Sequence, residues 1–332
     1  MTRKFLHFIL RSRLEDVMAA VFSICLLILF ATTRLFHSFT MGPLDFVFIL
    51  LPMGLLCIKA LLGLLAAGNE AGENPDTMKY LAGFFRPLVK IVRDWFPFFL
   101  LCGCYYALYT NLVLRVNPHT ADAFLAKMDA AILGNQPSFL LEPFIRPWLT
   151  DFLNAIYFSH VLVFPGAAFY FYLKAEEKVF RRLMMGFLTI MLLGITSYIL
   201  IPAVGPDSFL ATQYTLDLQG HALVKSVDYI FRTGHVAFDC FPSLHVGIPL
   251  LLSLYVRDYR RKAFVPVLIY VALMCLATIY LRYHYLVDVL AAFAYAPAAY
   301  ALNDLLLRHW PGERAAEGAV PLEKTQARNF GL

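Results

Sequence analysis

Apolar residues in this chain gather into long, nearly unbroken runs, with the polar residues in short clusters between them. Eight runs approach the ~20 apolar residues that a helix needs to cross a bilayer. They are Leu14–Leu35, Leu44–Ala66, Trp95–Leu114, Trp148–Leu173, Leu183–Ile201, His245–Val256, Phe264–Leu281 and Tyr285–Leu307. The sixth is short for a span unless it begins near Pro242 and continues to Tyr259. The pattern predicts an all-α, polytopic membrane helix bundle with about eight transmembrane helices.

Composition supports that reading. The chain of 332 residues is 60% hydrophobic and 15% charged, against about 45–50% and about 25% in ordinary soluble domains. The net charge of +5 does not point to nucleic acid, because the basic residues punctuate the apolar runs. Arg3, Lys4, Arg11 and Arg13 precede the first run. Lys79, Arg86, Lys90 and Arg93 lie between the second and third. Lys174, Lys178, Arg181 and Arg182 lie between the fourth and fifth, and Arg257, Arg260, Arg261 and Lys262 between the sixth and seventh. Arg308 and Arg314 follow the eighth. With eight spans all five clusters fall on one side, which the positive-inside rule makes cytoplasmic. Both termini are then cytoplasmic. The first apolar run reads as an uncleaved span, because no small-residue cleavage pattern follows it.

The connections carry their own signals. Residues 116–147 form an outer connection with a turn at Leu133-Gly134-Asn135-Gln136-Pro137 between two amphipathic pieces, predicting short interfacial helices that shield whatever lies beneath. The segment from Ile201 to Pro206 should end the fifth helix abruptly. The tail from 309 to 332 is polar and is predicted to be disordered. Of six cysteines, only Cys240 falls in a predicted loop, and their spacing suggests neither a disulfide framework nor a zinc site.

Two polar segments at the edges of apolar runs hold the candidate chemistry, Phe241-Pro242-Ser243-Leu244-His245 and Tyr280 to Asp288. The predicted topology puts both at one membrane face, outside the cytoplasm. Ionisable groups beside apolar spans are costly and so invite a functional reading. Metal-free phosphoryl transfer needs a nucleophile, a proton donor for the leaving oxygen, and donors around the phosphoryl oxygens. His284 and Asp288 are spaced i, i+4, so the carboxylate can orient one imidazole nitrogen and leave the other to attack. His245 is the candidate acid–base partner. Ser243 and the backbone N–H groups opening the sixth helix, Leu244 first, are candidate phosphate donors. Arg282 is the best-placed cation. His160, inside the fourth run, is a candidate for contact with substrate. A lone histidine at a helix end is commonly an interfacial polar residue, and the other histidines are read that way. Lys59 reads as a snorkelling residue, and Asp94 and Asp151 as carboxylates near helix N-termini without a catalytic role.

These segments resemble the second and third signature motifs of the type 2 phosphatidic acid phosphatase superfamily. They are most similar to the branch of inositol phosphorylceramide synthases, which has Pro-Ser-Leu-His (here Pro242 to His245) and Tyr-Leu-x-x-His-Tyr-x-x-Asp (here Tyr280 to Asp288). The stretch from Arg93 to Pro97, Asp129 with Leu133-Gly134, and the Pro202 to Pro206 turn also resemble that branch. The resemblance implies a six-helix core over 91–308, with residues 1–90 adding two N-terminal membrane helices. It implies His284 as the nucleophile that forms a phosphohistidine, Asp288 as its partner, His245 as the acid–base group, and no metal or other cofactor. The expected partners are a membrane phospholipid donor and a lipid-alcohol acceptor in a plasma or inner membrane.

The chain departs from the phosphatase pattern in two places. Thr278 stands where phosphatases have an arginine, and there is no clear Lys…Arg-Pro first motif. Arg282 would take over one cationic role, with Lys225 or Arg232. Fewer cations suit a phosphodiester donor, so the leading expectation is transfer of an inositol-phosphate type headgroup. A lipid phosphatase with the same site is the alternative. A haem protein would need axial histidines at helix positions, and a transporter would need broken helices at mid-membrane and repeats. The polar cluster at one membrane edge argues against both.

Overall fold

A computed structural model describes residues 12–33, 89–99, 112–174, 176–220 and 238–311. The second predicted span, most of the third, Lys59, Lys225, Arg232 and the tail beyond 311 lie outside the described residues. Every regular element among the described residues is helical. Besides 3-10 turns at Glu142–Phe144 and Ala211–Gln213, the α-helices in chain order are α1 (Leu14–Thr33), α2 (89–99), α3 (Leu112–Val116), α4 (Asp122–Leu133), α5 (Pro137–Leu141), α6 (Pro147–Leu173), α7 (Glu177–Leu200), α8 (Pro206–Phe209), α9 (Leu244–Tyr259), α10 (Arg261–Tyr280) and α11 (Leu286–His309). Helices α6, α7, α10 and α11 are long and apolar enough to cross a membrane.

Helix α7 is central. Residues 183–191 are buried without interruption, as expected of a helix apolar on all sides. Close packing depends on small residues. A Cβ on Gly186 would meet the Tyr255 side chain, and one on Gly194 would meet Leu244. Ala292, Ala296 and Ala299 form a buried stripe along α11. Small residues let helix backbones approach where lipid supplies no hydrophobic drive between them.

Helix α9 has 16 residues, about 24 Å at 1.5 Å per residue, shorter than the ~30 Å hydrocarbon core. It tolerates that length because it is buried among neighbours from Val246 to Val256. Its first turn therefore belongs to the interior of the bundle.

The basic clusters meet at one end. Arg181 holds Glu15 through Nε and Nη2 at 2.7 and 2.9 Å. Asp94 accepts from Arg13 at 2.6 Å and from Lys90 at 2.8 Å. Arg182 pairs with Asp304, and Arg260 with Glu176. Trp310 Nε1 donates to the Ser12 carbonyl, joining the last helix to the first. The opposite ends of α6, α7, α9, α10 and α11 converge on the two motif segments. The short helices expected between 116 and 147 are present as α4, α5 and a 3-10 turn at Glu142–Phe144. Gly134 is left-handed at the predicted turn, with φ of 75°. Helix α7 stops at Leu200, just before the Pro202–Pro206 segment.

Candidate active site

The His284 loop is built by its backbone. Helix α10 ends at Tyr280, and its Thr278 carbonyl accepts from the N–H groups of Tyr283 and His284 at 3.0 and 3.2 Å. Arg282 takes φ of 68°, which reverses the chain. His284 thus lies two residues ahead of α11. The i, i+4 spacing was expected to put His284 and Asp288 on one helix face. Here the loop aims the ring, and Asp288 sits in the first turn of α11 as a cap. Asp288 Oδ2 accepts the Tyr285 N–H at 2.7 Å.

The His284 ring is held at both nitrogens. Nδ1 is 2.9 Å from the Cys240 carbonyl and 3.5 Å from Asp288 Oδ2. A carbonyl only accepts, so Nδ1 bears the proton and Nε2 carries the lone pair. Nε2 lies 3.1 Å from His245 Nδ1, which must then be the donor. The sequence reading assigned the orienting acceptor to Asp288. The structure shares that task with Cys240, whose carbonyl is nearer. The Cys240 thiol in turn donates to Asp288 Oδ2 at 3.0 Å. Burial, followed by the Asp288 charge, pushes this thiol well above its ordinary pKa, so it stays protonated and able to donate.

His245 is the second residue of α9. Tyr157 of α6 stacks on it, with ring centroids 4.4 Å apart and an angle of 22°. His160 meets it edge-on at 4.2 Å. His160 Nδ1 contacts the Tyr157 carbonyl at 2.7 Å. The fourth-run histidine therefore lies beside His245. Tyr157 was missed, because an aromatic well inside an apolar run reads equally well as ordinary core packing.

The candidate phosphate donors separate. Ser243 caps α9 by position but makes no capping bond, and its Oγ is fully buried with no hydrogen-bond partner. An orphaned buried hydroxyl is a donor in waiting. The Leu244 N–H instead lies against the Tyr198 hydroxyl, which donates to the Pro242 carbonyl at 3.2 Å. Arg282 is 5% exposed and its Nη2 is engaged by the protein. It donates to the Leu216 carbonyl, pairs with Glu142 at 3.3 Å and lies 3.6 Å over the Tyr214 ring. These contacts direct Nη2 to protein acceptors and not to the imidazoles.

The outer connection braces this loop. Asp129 of α4 accepts the Leu286 and Val287 N–H groups at 2.7 and 2.9 Å. It thereby caps α11 from another helix, as an N-terminal carboxylate should. Burial pushes its pKa up to about 6 despite those two bonds. Asp122 accepts from Val204, Gly205 and the Tyr285 hydroxyl at 3.0–3.1 Å. Gly205 has φ of 87°, and a Cβ there would sit 2.7 Å from the Tyr283 carbonyl oxygen. Glu142 accepts from Thr215 and Leu216. Burial raises its pKa, but those bonds and Arg282 outweigh it and hold the carboxyl below its usual range. The sequence flagged Asp129 only as part of a resemblance, and gave no sign that it caps the helix of Asp288.

The fold and site together define an integral membrane protein with paired imidazoles and a buried carboxylate at one end of a helix bundle. A family model described as the PAP2 superfamily matches residues 123–302, more than half of the chain and all of the site. The chain belongs to that superfamily and is an enzyme of its phosphatase and phosphotransferase class. No curated protein and no solved structure matches it significantly.

Proposed function

We propose that the protein is a lipid phosphotransferase that moves a phosphoryl-headgroup, of the inositol-phosphate type, from a phospholipid to a lipid alcohol through a phosphohistidine at His284. The observation that carries this reading is the contact between His245 Nδ1 and His284 Nε2, with the other His284 nitrogen fixed by Cys240. One imidazole has its lone pair presented, and the other already bears the proton that a leaving oxygen needs.

A donor phosphoryl group enters between the two rings and displaces the His245 proton from its resting acceptor. His284 Nε2 attacks phosphorus. The N–P bond forms, the P–O bond to diacylglycerol breaks, and His245, entering the step as an imidazolium, gives its Nδ1 proton to the departing oxygen and is left neutral. Neutral His245 then takes the proton of an acceptor alcohol, whose oxygen attacks phosphorus and releases His284. Ser243 Oγ supplies a hydrogen bond to the phosphoryl oxygens in both steps. Asp288 stabilises the positive charge that develops on His284.

The pairing of Arg282 with Glu142 supports a phosphodiester over a monoester. A guanidinium already neutralised by a carboxylate adds little to the binding of a dianionic phosphate. The gathering of basic residues at the other end of the bundle supports a site on the extracytoplasmic face.

The test uses purified protein in detergent with labelled phosphatidylinositol, with and without ceramide or diacylglycerol. The expected result is a new inositol phospholipid that appears only with acceptor and is abolished by His284→Ala. Release of water-soluble phosphate irrespective of acceptor, or preference for phosphatidic acid, supports the phosphatase. Equal turnover by wild type and His284→Ala overturns the site.

A further inference from the structure

Three unlike donor atoms from two separate segments converge beside the attacking histidine. Cys240 Sγ, His284 Nδ1 and Asp288 Oδ2 are 3.0, 3.5 and 3.8 Å apart pairwise. Bond lengths of roughly 2.3 Å to sulfur and 2.0–2.2 Å to nitrogen and oxygen place tetrahedral donors about 3.3–3.6 Å apart. Side-chain shifts of about half an ångström therefore convert this triad into three ligands of one metal ion. All three residues are buried.

We propose that Cys240, His284 and Asp288 form a regulatory site for one thiophilic divalent cation, of the zinc class, whose binding switches the enzyme off. The donor set argues for that class, since thiolate and imidazole select zinc-like ions over magnesium or calcium. Charge argues the same way. A thiolate, a carboxylate and a neutral imidazole leave a divalent ion with no net charge, as a buried site requires. Two features hold the ligands in place. Asp288 Oδ2 is fixed by the Tyr285 N–H. Asp288 Oδ1 is buried with no hydrogen-bond partner, an acceptor that the resting protein does not use.

The effect on chemistry follows from the histidine tautomer. Binding releases the Cys240 thiol proton to solvent. The metal takes the Nδ1 lone pair, so the single proton of the neutral ring moves to Nε2. The nitrogen that attacks phosphorus becomes an N–H and loses its nucleophilicity. The functional effect rests on His284 being the nucleophile, whereas the binding site does not.

Cobalt(II) is the probe, because a thiolate ligand gives it a charge-transfer band and tetrahedral geometry gives it intense visible bands. Purified wild type, Cys240→Ser and a Cys275→Ser control are titrated with cobalt, and turnover of labelled phosphatidylinositol is followed with added zinc. The expected result is one thiolate–cobalt band in wild type and Cys275→Ser that is absent from Cys240→Ser. Zinc should inhibit wild type reversibly, with a chelator restoring turnover. Cys240→Ser should need about tenfold more zinc or greater. X-ray absorption on zinc-loaded wild type provides a reading without any variant, and should show one sulfur with nitrogen and oxygen ligands. A shell without sulfur, a thiolate band that survives Cys240→Ser, or equal zinc inhibition of both proteins overturns the proposal. Failure of the nucleophile reading would show separately, as turnover surviving His284→Ala with the cobalt band intact in wild type.

Discussion

The two ends of the helix bundle use carboxylates in opposite ways. At the basic end, Glu15, Asp94, Glu176 and Asp304 each meet an arginine, with Glu15 and Asp94 buried and Glu176 and Asp304 partly exposed. At the end that holds the candidate active site, the proposed catalytic end, Asp122, Asp129 and Asp288 are almost wholly buried, and the partners described for them are backbone N–H groups, a phenol, a thiol and an imidazole. Ion pairs at the first end tie helices together, and the exposed ones among them do so at small net value. Carboxylates at the second end fix the backbone of the loops that aim His245 and His284, without placing cations beside them. The contrast teaches that the catalytic end is held by directional hydrogen bonds. Its one described buried cation, Arg282, is paired with Glu142.

Asp288→Asn is the sharpest way to break the catalytic side of that comparison. In a Ser-His-Asp triad the corresponding change costs about 10⁴-fold in rate, because the wrong tautomer is stabilised. Here the Cys240 carbonyl still holds Nδ1–H, so the expected loss in kcat is smaller, about 10²-fold. Single-turnover kinetics measure it, and a loss equal to that of His284→Ala would show that Asp288 alone sets the tautomer. Glu142→Gln comes next. It leaves a buried guanidinium without its counter-charge, and should cost about 2–3 kcal/mol of stability, below the usual figure because Tyr214 and the Leu216 carbonyl remain. The same variant should raise turnover of a monoester lipid relative to a diester, since Arg282 gains free charge. An unchanged substrate ratio would separate Arg282 from specificity.

Asp129→Asn sharpens the comparison through pH. Burial lets the folded carboxyl hold its proton up to about pH 6, while an ordinary aspartate loses it near 3.8. The folded state therefore binds more protons between those values, and this group favours folding as pH falls from 6 towards 4. Thermal midpoints in detergent should show a gain over that window in wild type that the Asn variant lacks. Parallel curves would count against the buried cap. At the basic end, Arg93→Ala removes an exposed pair with Asp16 at 2.9 Å, and should change stability by less than about 0.5 kcal/mol. A larger change would mean that the charged end is no looser than the catalytic one.

Much of this was legible in the sequence. The apolar runs located α1, α6, α7, α10 and α11. The position of His245 at the start of a short sixth run, and of His284 between two runs, brought the imidazoles to one end. The turn at Gly134 and the stop before Pro202 were also read correctly. What was not legible depends on contacts distant along the chain. Nothing in the spacing of Cys240 shows that it meets His284 and Asp288, 44 and 48 residues later. Asp129 caps a helix more than 150 residues away. Arg282 looked available because it flanks His284, yet its left-handed backbone accompanies a side chain directed to Glu142. Adjacent residues share a loop without sharing a direction.

The most direct test of the central claim is to trap the covalent intermediate. Wild-type protein is mixed with headgroup-labelled phosphatidylinositol without acceptor, quenched at neutral pH, and mapped by mass spectrometry. The account predicts an added inositol phosphate on the peptide containing His284, discharged by a lipid alcohol and absent from His284→Ala. Label on another residue, or product formation by a protein that never carries label, would contradict it.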